Sequence, residues 1–167
     1  GVLCHGYMEF RYLMEQALQG ALEVIVAADE EFEACFGRRW GGLTWQYKTG
    51  DADIVLIAAG SLAGEATISA DMLREEGIRA GVLGLRAYRP FPADTLVKQL
   101  EKAKLVLVFD KSLSYGYGGP ICMDVRAALQ KHKMTTDVHG YVAGLGGRDI
   151  KARELAAVTR ESLDWQV

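Results

Sequence analysis

Basic charge is not in excess in this chain: 19 Lys and Arg face 22 Asp and Glu, a net charge of −3 over 167 residues. Without a basic surplus there is no electrostatic footprint for nucleic acid or an anionic membrane, and neither is expected as a partner. Long hydrophobic runs are also missing; stretches such as Ile54 to Leu62 fall far short of a membrane span. No basic segment precedes an apolar one at the N-terminus, so no signal peptide is read. Cysteine is scarce. Cys4, Cys35 and Cys122 are odd in number and widely spaced, which supports neither a disulfide framework nor a metal or iron–sulfur spacing. They read as reduced thiols of a cytoplasmic protein. Three histidines, His5, His132 and His139, show no metal-ligand spacing, and no Ser–His–Asp, Cys–His or Walker-type signature is present. No catalytic, cofactor-binding or metal-binding residue is therefore assigned.

What is present is ordinary for a folded domain: half the residues are hydrophobic and a quarter charged. The size suits one domain with an appendage, and a start at Gly1 rather than Met suggests part of something longer. From Glu9 to Phe36 there is no proline, and Met14, Ala17, Ala21, Ile25, Ala28, Phe32 and Cys35 recur at helical spacing. This predicts a long linking helix within residues 1–42, closed by Gly37, with Asp29, Glu30, Glu31 and Glu33 as its solvated face. Leu43 to Lys48 alternates and reads as an edge strand. Buried parallel strands are predicted at Ile54–Ala59, Ile78–Leu85, Leu105–Phe109 and Val138–Ala143. The intervening helices are one capped by Ser61 and ending at Gly77, one from Pro92 to about Lys102, and one from Pro120 to about Lys131. A last helix runs from about Ala152 to Leu163. Strands alternating with helices imply a three-layer α/β/α domain over residues 43–167.

The candidate surface lies in the turns. Gly60-Ser61-Leu62-Ala63-Gly64 joins a strand to a helix and reads as a tight turn with a cap, or as an anion site through Ser61 and Gly64. Arg89, stiffened by Pro90 and Pro92, suits a carboxylate from a neighbouring domain or substrate, or an internal salt bridge. Asp110 leads into Ser114-Tyr115-Gly116-Tyr117-Gly118-Gly119-Pro120, where exposed tyrosines fit a protein contact better than a phosphate, since Pro120 has no N–H to give. Gly144-Leu145-Gly146-Gly147-Arg148-Asp149 needs its glycines for positive φ or close approach, with Arg148 and Asp149 pairing or reaching another subunit. The interface or ligand candidates are Ser61, Gly64, Arg89, Asp110, Tyr115, Gly118, Gly119, Arg148 and Asp149.

Taken in order, these segments resemble the C-terminal part of the α subunit of 2-oxoacid:ferredoxin oxidoreductases, above all the pyruvate enzyme. The likeness runs through Met8-Glu9-Phe10-Arg11-Tyr12, Asp29-Glu30-Glu31-Phe32, Phe36-Gly37-Arg38 and Ala52-Asp53-Ile54. It continues through the Gly60–Gly64 turn, Leu73-Arg74-Glu75-Glu76-Gly77-Ile78, Arg86 to Pro92, Asp110 to Pro120 and Tyr141 to Asp149. It implies the transketolase C-terminal fold: a five-stranded, mostly parallel sheet whose one antiparallel strand is Leu43 to Lys48. It also implies a complete enzyme that oxidises pyruvate to acetyl-CoA and carbon dioxide and reduces ferredoxin. That enzyme would use thiamine diphosphate with Mg, iron–sulfur clusters and coenzyme A, all held by the rest of the α subunit, the β subunit and other subunits. The isolated chain is then expected to be inactive. One departure is Lys151, where Ser or Thr would ordinarily cap the last helix. Two alternatives stand beside this reading. One is the equivalent domain of a transketolase or of a 2-oxoacid dehydrogenase β subunit. The other is a free-standing nucleotide- or anion-binding regulatory domain, which a ligand would stabilise by about 2.7 kcal/mol at a hundredfold excess over Kd.

Overall fold

A computed structural model describes residues 6–164 and groups the chain into two compact units, residues 44–86 with 93–167, and residues 1–43 with 87–92. The first unit is built on five strands: β1 (Thr44–Tyr47), β2 (Ile54–Ala59), β3 (Ala80–Leu85), β4 (Leu105–Asp110) and β5 (Asp137–Val142). Their order is β1-β3-β2-β4-β5. β1 runs antiparallel to β3, and the other pairings are parallel. The expected architecture is present, including the single reversed strand. Ile54, Val55, Leu56, Ile57 and Ala58 are all buried, because a central parallel strand is covered on both faces.

Helices α2 (Ser61–Glu75) and α5 (Ala152–Asp164) cover one face. Leu62, Ala66, Ala70 and Leu73 of α2 pack with Leu155 and Ala156 of α5 against Leu56, Leu107 and Phe109. Strand side chains alternate between faces, so Val55, Ile57, Val106 and Val108 serve the other layer. That layer holds α3 (Ala93–Gln99) and α4 (Pro120–Lys131), with Leu96, Ile121, Val125 and Leu129 buried.

Two glycines set the close approaches. Gly84 lies beneath the Trp45 indole, where a Cβ would overlap the ring, and this lets β1 bring its tryptophan over β3. Gly140 on β5 lies against Cys122 of α4, leaving 2.5 Å between an added Cβ and Sγ. Ion pairs line the start of the strands: Arg74 with Asp51 at 2.6 Å, and Asp53 with both Arg79 at 2.6 Å and Lys104 at 3.1 Å.

The second unit is dominated by α1 (Tyr7–Phe36), a 30-residue helix. Gly37 ends it with φ 63°, and its N–H donates to Glu33 O. The acidic cluster is not wholly a solvated face. Asp29 is buried, and its carboxylate accepts from Trp40 N–H at 2.9 Å, Gly41 N–H at 3.1 Å and Arg39 Nε at 3.2 Å. Burial pushes the Asp29 carboxyl up, but these hydrogen bonds outweigh it and hold the group below the ordinary value. Asp29 thus ties down the chain that reverses after the helix, while Glu30, Glu31 and Glu33 stay exposed.

Helix limits differ from the sequence reading in two places. Gly60, with φ 61°, occupies the cap position of α2 and Ser61 is its first helical residue, with no side-chain cap bond. α3 stops at Gln99, three residues early, because residues 100–102 continue as turn.

Candidate functional site: the strand-tip loops

In an open parallel sheet, ligand and partner contacts collect beyond the carboxyl ends of the strands. Ser61 and Gly64 follow β2; Asp110 ends β4, and Tyr115, Gly118 and Gly119 follow it; Arg148 and Asp149 follow β5. Arg89 belongs to the other compact unit and is taken separately.

The loop after β4 is organised by Asp110. Its side chain is 1% exposed and accepts from Ile121 N–H (Oδ1, 2.9 Å) and Cys122 N–H (Oδ2, 3.0 Å). Pro120 occupies the first position of α4, so the next two donors are the first available, and one carboxylate takes both. Gly119 makes room: a Cβ there would sit 2.8 Å from Asp110 Cβ and collide with the carboxylate. Burial pushes the Asp110 carboxyl up, with Asp124 adding to it, against the lowering effect of the two N–H bonds. Asp110 is therefore spent on the fold. The remainder of the loop points outward. Ser114 and Gly118 form an isolated bridge that lifts Tyr115, 94% exposed, and Tyr117, 65% exposed, into solvent.

The loop after β5 meets the loop after β4. Ala143 N–H donates to Asp110 O at 2.8 Å, and the Lys111 side chain lies against Gly144, within 2.9 Å of a Cβ placed there. Gly144, Gly146 and Gly147 all have positive φ, which non-glycine residues adopt only under strain. Arg148 and Asp149 do not pair with each other. Asp149 pairs with Lys151 at 2.5 Å, and that ammonium holds the Asp149 carboxyl below its usual range. Arg148 is exposed.

Lys151 does not prevent a cap on α5. Glu154 reaches back to accept from Lys151 N–H at 2.9 Å, half of a capping box, and Glu65 of α2 accepts from Ala152 N–H at 2.9 Å. The Glu154 half is legible three residues after Lys151. Glu65 acts across 87 positions of sequence and leaves no local signal. These bonds place the starts of α2 and α5 side by side. Ser61 and Gly64 are exposed there, and Thr67 Oγ1 donates to Gly64 O at 2.7 Å.

In the second unit Arg89 is exposed. Its guanidinium stacks over the Tyr88 ring at 4.0 Å and donates to Tyr88 O at 2.9 Å, so a local aromatic cradle holds it. Tyr88 meets Phe91 edge to face at 6.3 Å, and the Arg89–Pro90 bond is cis.

The described histidines lie outside the strand-tip loops. His132 Nε2 lies 3.0 Å from Asp94, and His139 is half-buried on β5; Cys4 and His5 fall outside the described residues. Burial pushes the Cys122 thiol up, which keeps it protonated and unreactive. Among the described residues no helix is long and apolar enough to cross a membrane.

Comparison with known proteins gives the family. Residues 52–155 match the family described as pyruvate:ferredoxin oxidoreductase core domain II. The chain belongs to that family. Among curated relatives, pyruvate synthase subunit PorA of Methanosarcina barkeri is 41% identical over 93% of the chain and 39% of its own length. Ketoisovalerate oxidoreductase subunit VorA of Pyrococcus horikoshii is 34% identical over 93% of the chain and 39% of its own length. The chain thus spans about two-fifths of the curated relatives it matches. Two solved structures share the fold at a TM-score of 0.58. One is a 2-oxoglutarate:ferredoxin oxidoreductase from Magnetococcus marinus (17% identity, 80% of this chain, 21% of that one). The other is a split-gene transketolase described as an inactive β4 tetramer (20% identity, 76% of this chain, 43% of that one).

Thiamine diphosphate, which such membership implies for a complete enzyme, needs a divalent cation on oxygen ligands and donors for its phosphates. Among the described residues no group of three His, Cys, Asp or Glu side chains could hold a metal. The helix start beyond β4, a natural place for phosphate, is filled by the protein's own Asp110 carboxylate. Among the described residues, then, neither a cluster of three such side chains nor a free start of α4 is offered to the cofactor. A four-thiolate iron–sulfur cluster likewise exceeds three cysteines, of which Cys35 lies on α1 and Cys122 on α4.

Proposed function

We propose that the chain is the C-terminal assembly domain of the α subunit of a cytoplasmic 2-oxoacid:ferredoxin oxidoreductase of the pyruvate synthase type. The complete enzyme oxidatively decarboxylates pyruvate to acetyl-CoA and reduces ferredoxin. Its thiamine diphosphate with Mg, iron–sulfur clusters and coenzyme A bind outside these residues. The observation that carries this reading is 41% identity to a pyruvate synthase subunit across almost the whole chain. Identity to the ketoisovalerate subunit is lower, at 34%, which favours pyruvate over a branched 2-oxoacid.

The geometry supports assembly rather than chemistry. Carboxylates of the chain itself cap α4 and α5, whereas Tyr115, Tyr117, Leu145 and Arg148 project outward from the same loops. Exposed tyrosines and an exposed arginine are the composition of protein contacts. Ser61, Gly64, Gly118 and Asp149 are assigned to the same docking role, with Asp110 and Gly119 holding the loop in shape, and Arg89 to a docking contact of its own unit.

The test is to express the complete reading frame with a β subunit and follow CoA-dependent dye or ferredoxin reduction. Pyruvate should be turned over faster than 2-oxoisovalerate, and the 167-residue chain alone should show no turnover. Oxidation of a 2-oxoacid by the chain alone, or an assembled complex indifferent to pyruvate, refutes the assignment.

A further inference from the structure

The first half of α1 carries apolar side chains with nothing over them. Every described residue up to Gly20 is exposed, and only from Ala21 onward does a half-buried stripe begin, through Leu22, Ile25, Val26 and Phe32. Met8 is 81% exposed, Tyr12 62%, Leu13 61% and Phe10 54%. At 3.6 residues per turn Phe10 and Met14 share one face, while Met8 and Tyr12 lie on nearly the opposite one. A shallow groove of about 470 Å³ follows the first of these faces past Met14, Ala17, Leu18 and Ala21. Glu9, Arg11, Glu15, Gln16 and Gln19 share the other side with Met8 and Tyr12, so Phe10, Leu13, Met14, Ala17 and Leu18 form one broad apolar stripe, the pattern of a helix that docks on a surface. About 14 residues of such helix are also too short to persist alone in water.

The comparisons point to the occupant. Alignment with the Methanosarcina PorA spans 157 residues and so must take in nearly all of α1, whereas the core domain II match begins only at residue 52. The helix is therefore shared with pyruvate synthase subunits while lying outside the core domain. Those subunits carry chain well beyond the 39% that is matched here. We infer that residues 7–20 of α1 pack their apolar stripe onto the domain made by that remaining part of the α-subunit chain. The structural boundary then falls inside the helix, near Gly20 and Ala21, and not at its end. This rests on the α-subunit assignment above.

The probe is the part of the Methanosarcina barkeri PorA polypeptide outside the matched region, mixed with the 167-residue protein. A one-to-one complex should form, and amides 7–20, exchanging almost freely in the chain alone, should become protected at least tenfold. Two variants sample opposite faces, Phe10→Asp on the apolar stripe and Gln19→Ala on the polar side; both sites are exposed in the chain alone, so neither threatens its folding. Phe10→Asp should weaken the complex at least tenfold and Gln19→Ala less than about twofold. If the two variants weaken it equally, the stripe is not the docking face and the inference fails. It fails equally if no complex forms, or if these amides are protected by self-association without the probe. A complex indifferent to Phe10→Asp overturns this inference alone, because turnover by the complete enzyme decides the assignment separately.

Discussion

Replacing Asp110 by Ala should cost far more than losing one surface charge. Ile121 N–H and Cys122 N–H both depend on this carboxylate, and the site is buried, so water cannot replace it. An orphaned buried donor costs roughly 1–3 kcal/mol, and losing a helix cap typically about 1 kcal/mol. Some of this is offset because the carboxylate no longer has to be desolvated, the same effect that pushes its pKa up. The net expectation is a loss of about 2–4 kcal/mol, or roughly 4–16 °C in Tm at the 2–4 °C per kcal/mol usual for this size. Gly119→Ala should be destabilising for a different reason, since its Cβ would strike a carboxylate pinned by those two bonds. The decisive quantity is the coupling. Once Asp110 is Ala the carboxylate atoms are gone and only its Cβ at 2.8 Å remains, so Gly119→Ala should cost less in that background, giving a coupling of at least about 1 kcal/mol in a double-mutant cycle. Urea denaturation followed by circular dichroism measures all four proteins. A loss under about 0.5 kcal/mol for Asp110→Ala, or strictly additive effects, would show that the carboxylate does not hold the loop.

Three further outcomes follow from single observations. Ser69 Oγ is buried without a hydrogen-bond partner, so Ser69→Ala should stabilise by about 1 kcal/mol in the same denaturation assay, and a loss of that size would reveal a hidden partner. Gly84→Ala should cost about 1–3 kcal/mol, with a changed Trp45 fluorescence spectrum as the indole is pushed off β3; an unchanged spectrum and midpoint would contradict the close approach. Asp51, Asp53, Asp71, Glu76 and Asp149 are held below the ordinary carboxylate range mainly by Arg74, Arg79, Lys48, Arg160 and Lys151 respectively. Their unfolded forms titrate near pH 4, so their contribution is complete above about pH 5 and is lost as pH falls through the lowered values. Urea midpoints should drop below pH 4, and less so in high salt because the pairs are exposed; a midpoint flat from pH 6 to 3 would refute this.

The strands of the sheet were legible because each follows a simple period. Unbroken apolar runs such as Ile54–Ala59 and Leu105–Phe109 mark strands covered on both faces, and Pro120 marks the start of α4. The long helix was visible from its spacing. What escaped was any role that depends on a partner distant in sequence. Asp29 and Asp110 look like surface acids in a linear reading, yet both are buried because backbone N–H groups 11 and 12 residues later converge on them. Glu65 capping α5 is the extreme case. Ser61, conversely, looked like a cap and is not one, because Gly60 reaches a φ of 61° and turns the chain without side-chain help.

These missed carboxylates bear directly on function. An α/β sheet of this kind offers helix starts at its carboxyl edge, where uncapped N–H groups attract phosphate or carboxylate ligands. Here Asp110 occupies the start of α4, and Glu154 with Glu65 occupies the start of α5. Negative side chains in those positions satisfy the donors and repel an incoming anion at the same time. The free-standing nucleotide-binding alternative therefore loses two of its natural sites to the protein's own fold. If it were nevertheless correct, ATP or inorganic phosphate at millimolar concentration would raise the Tm of the wild-type chain. The capping carboxylates close the starts of α4 and α5, so Asp110→Ala should add a phosphate-dependent rise in Tm beyond any that the uncapped start of α2 gives the wild-type chain.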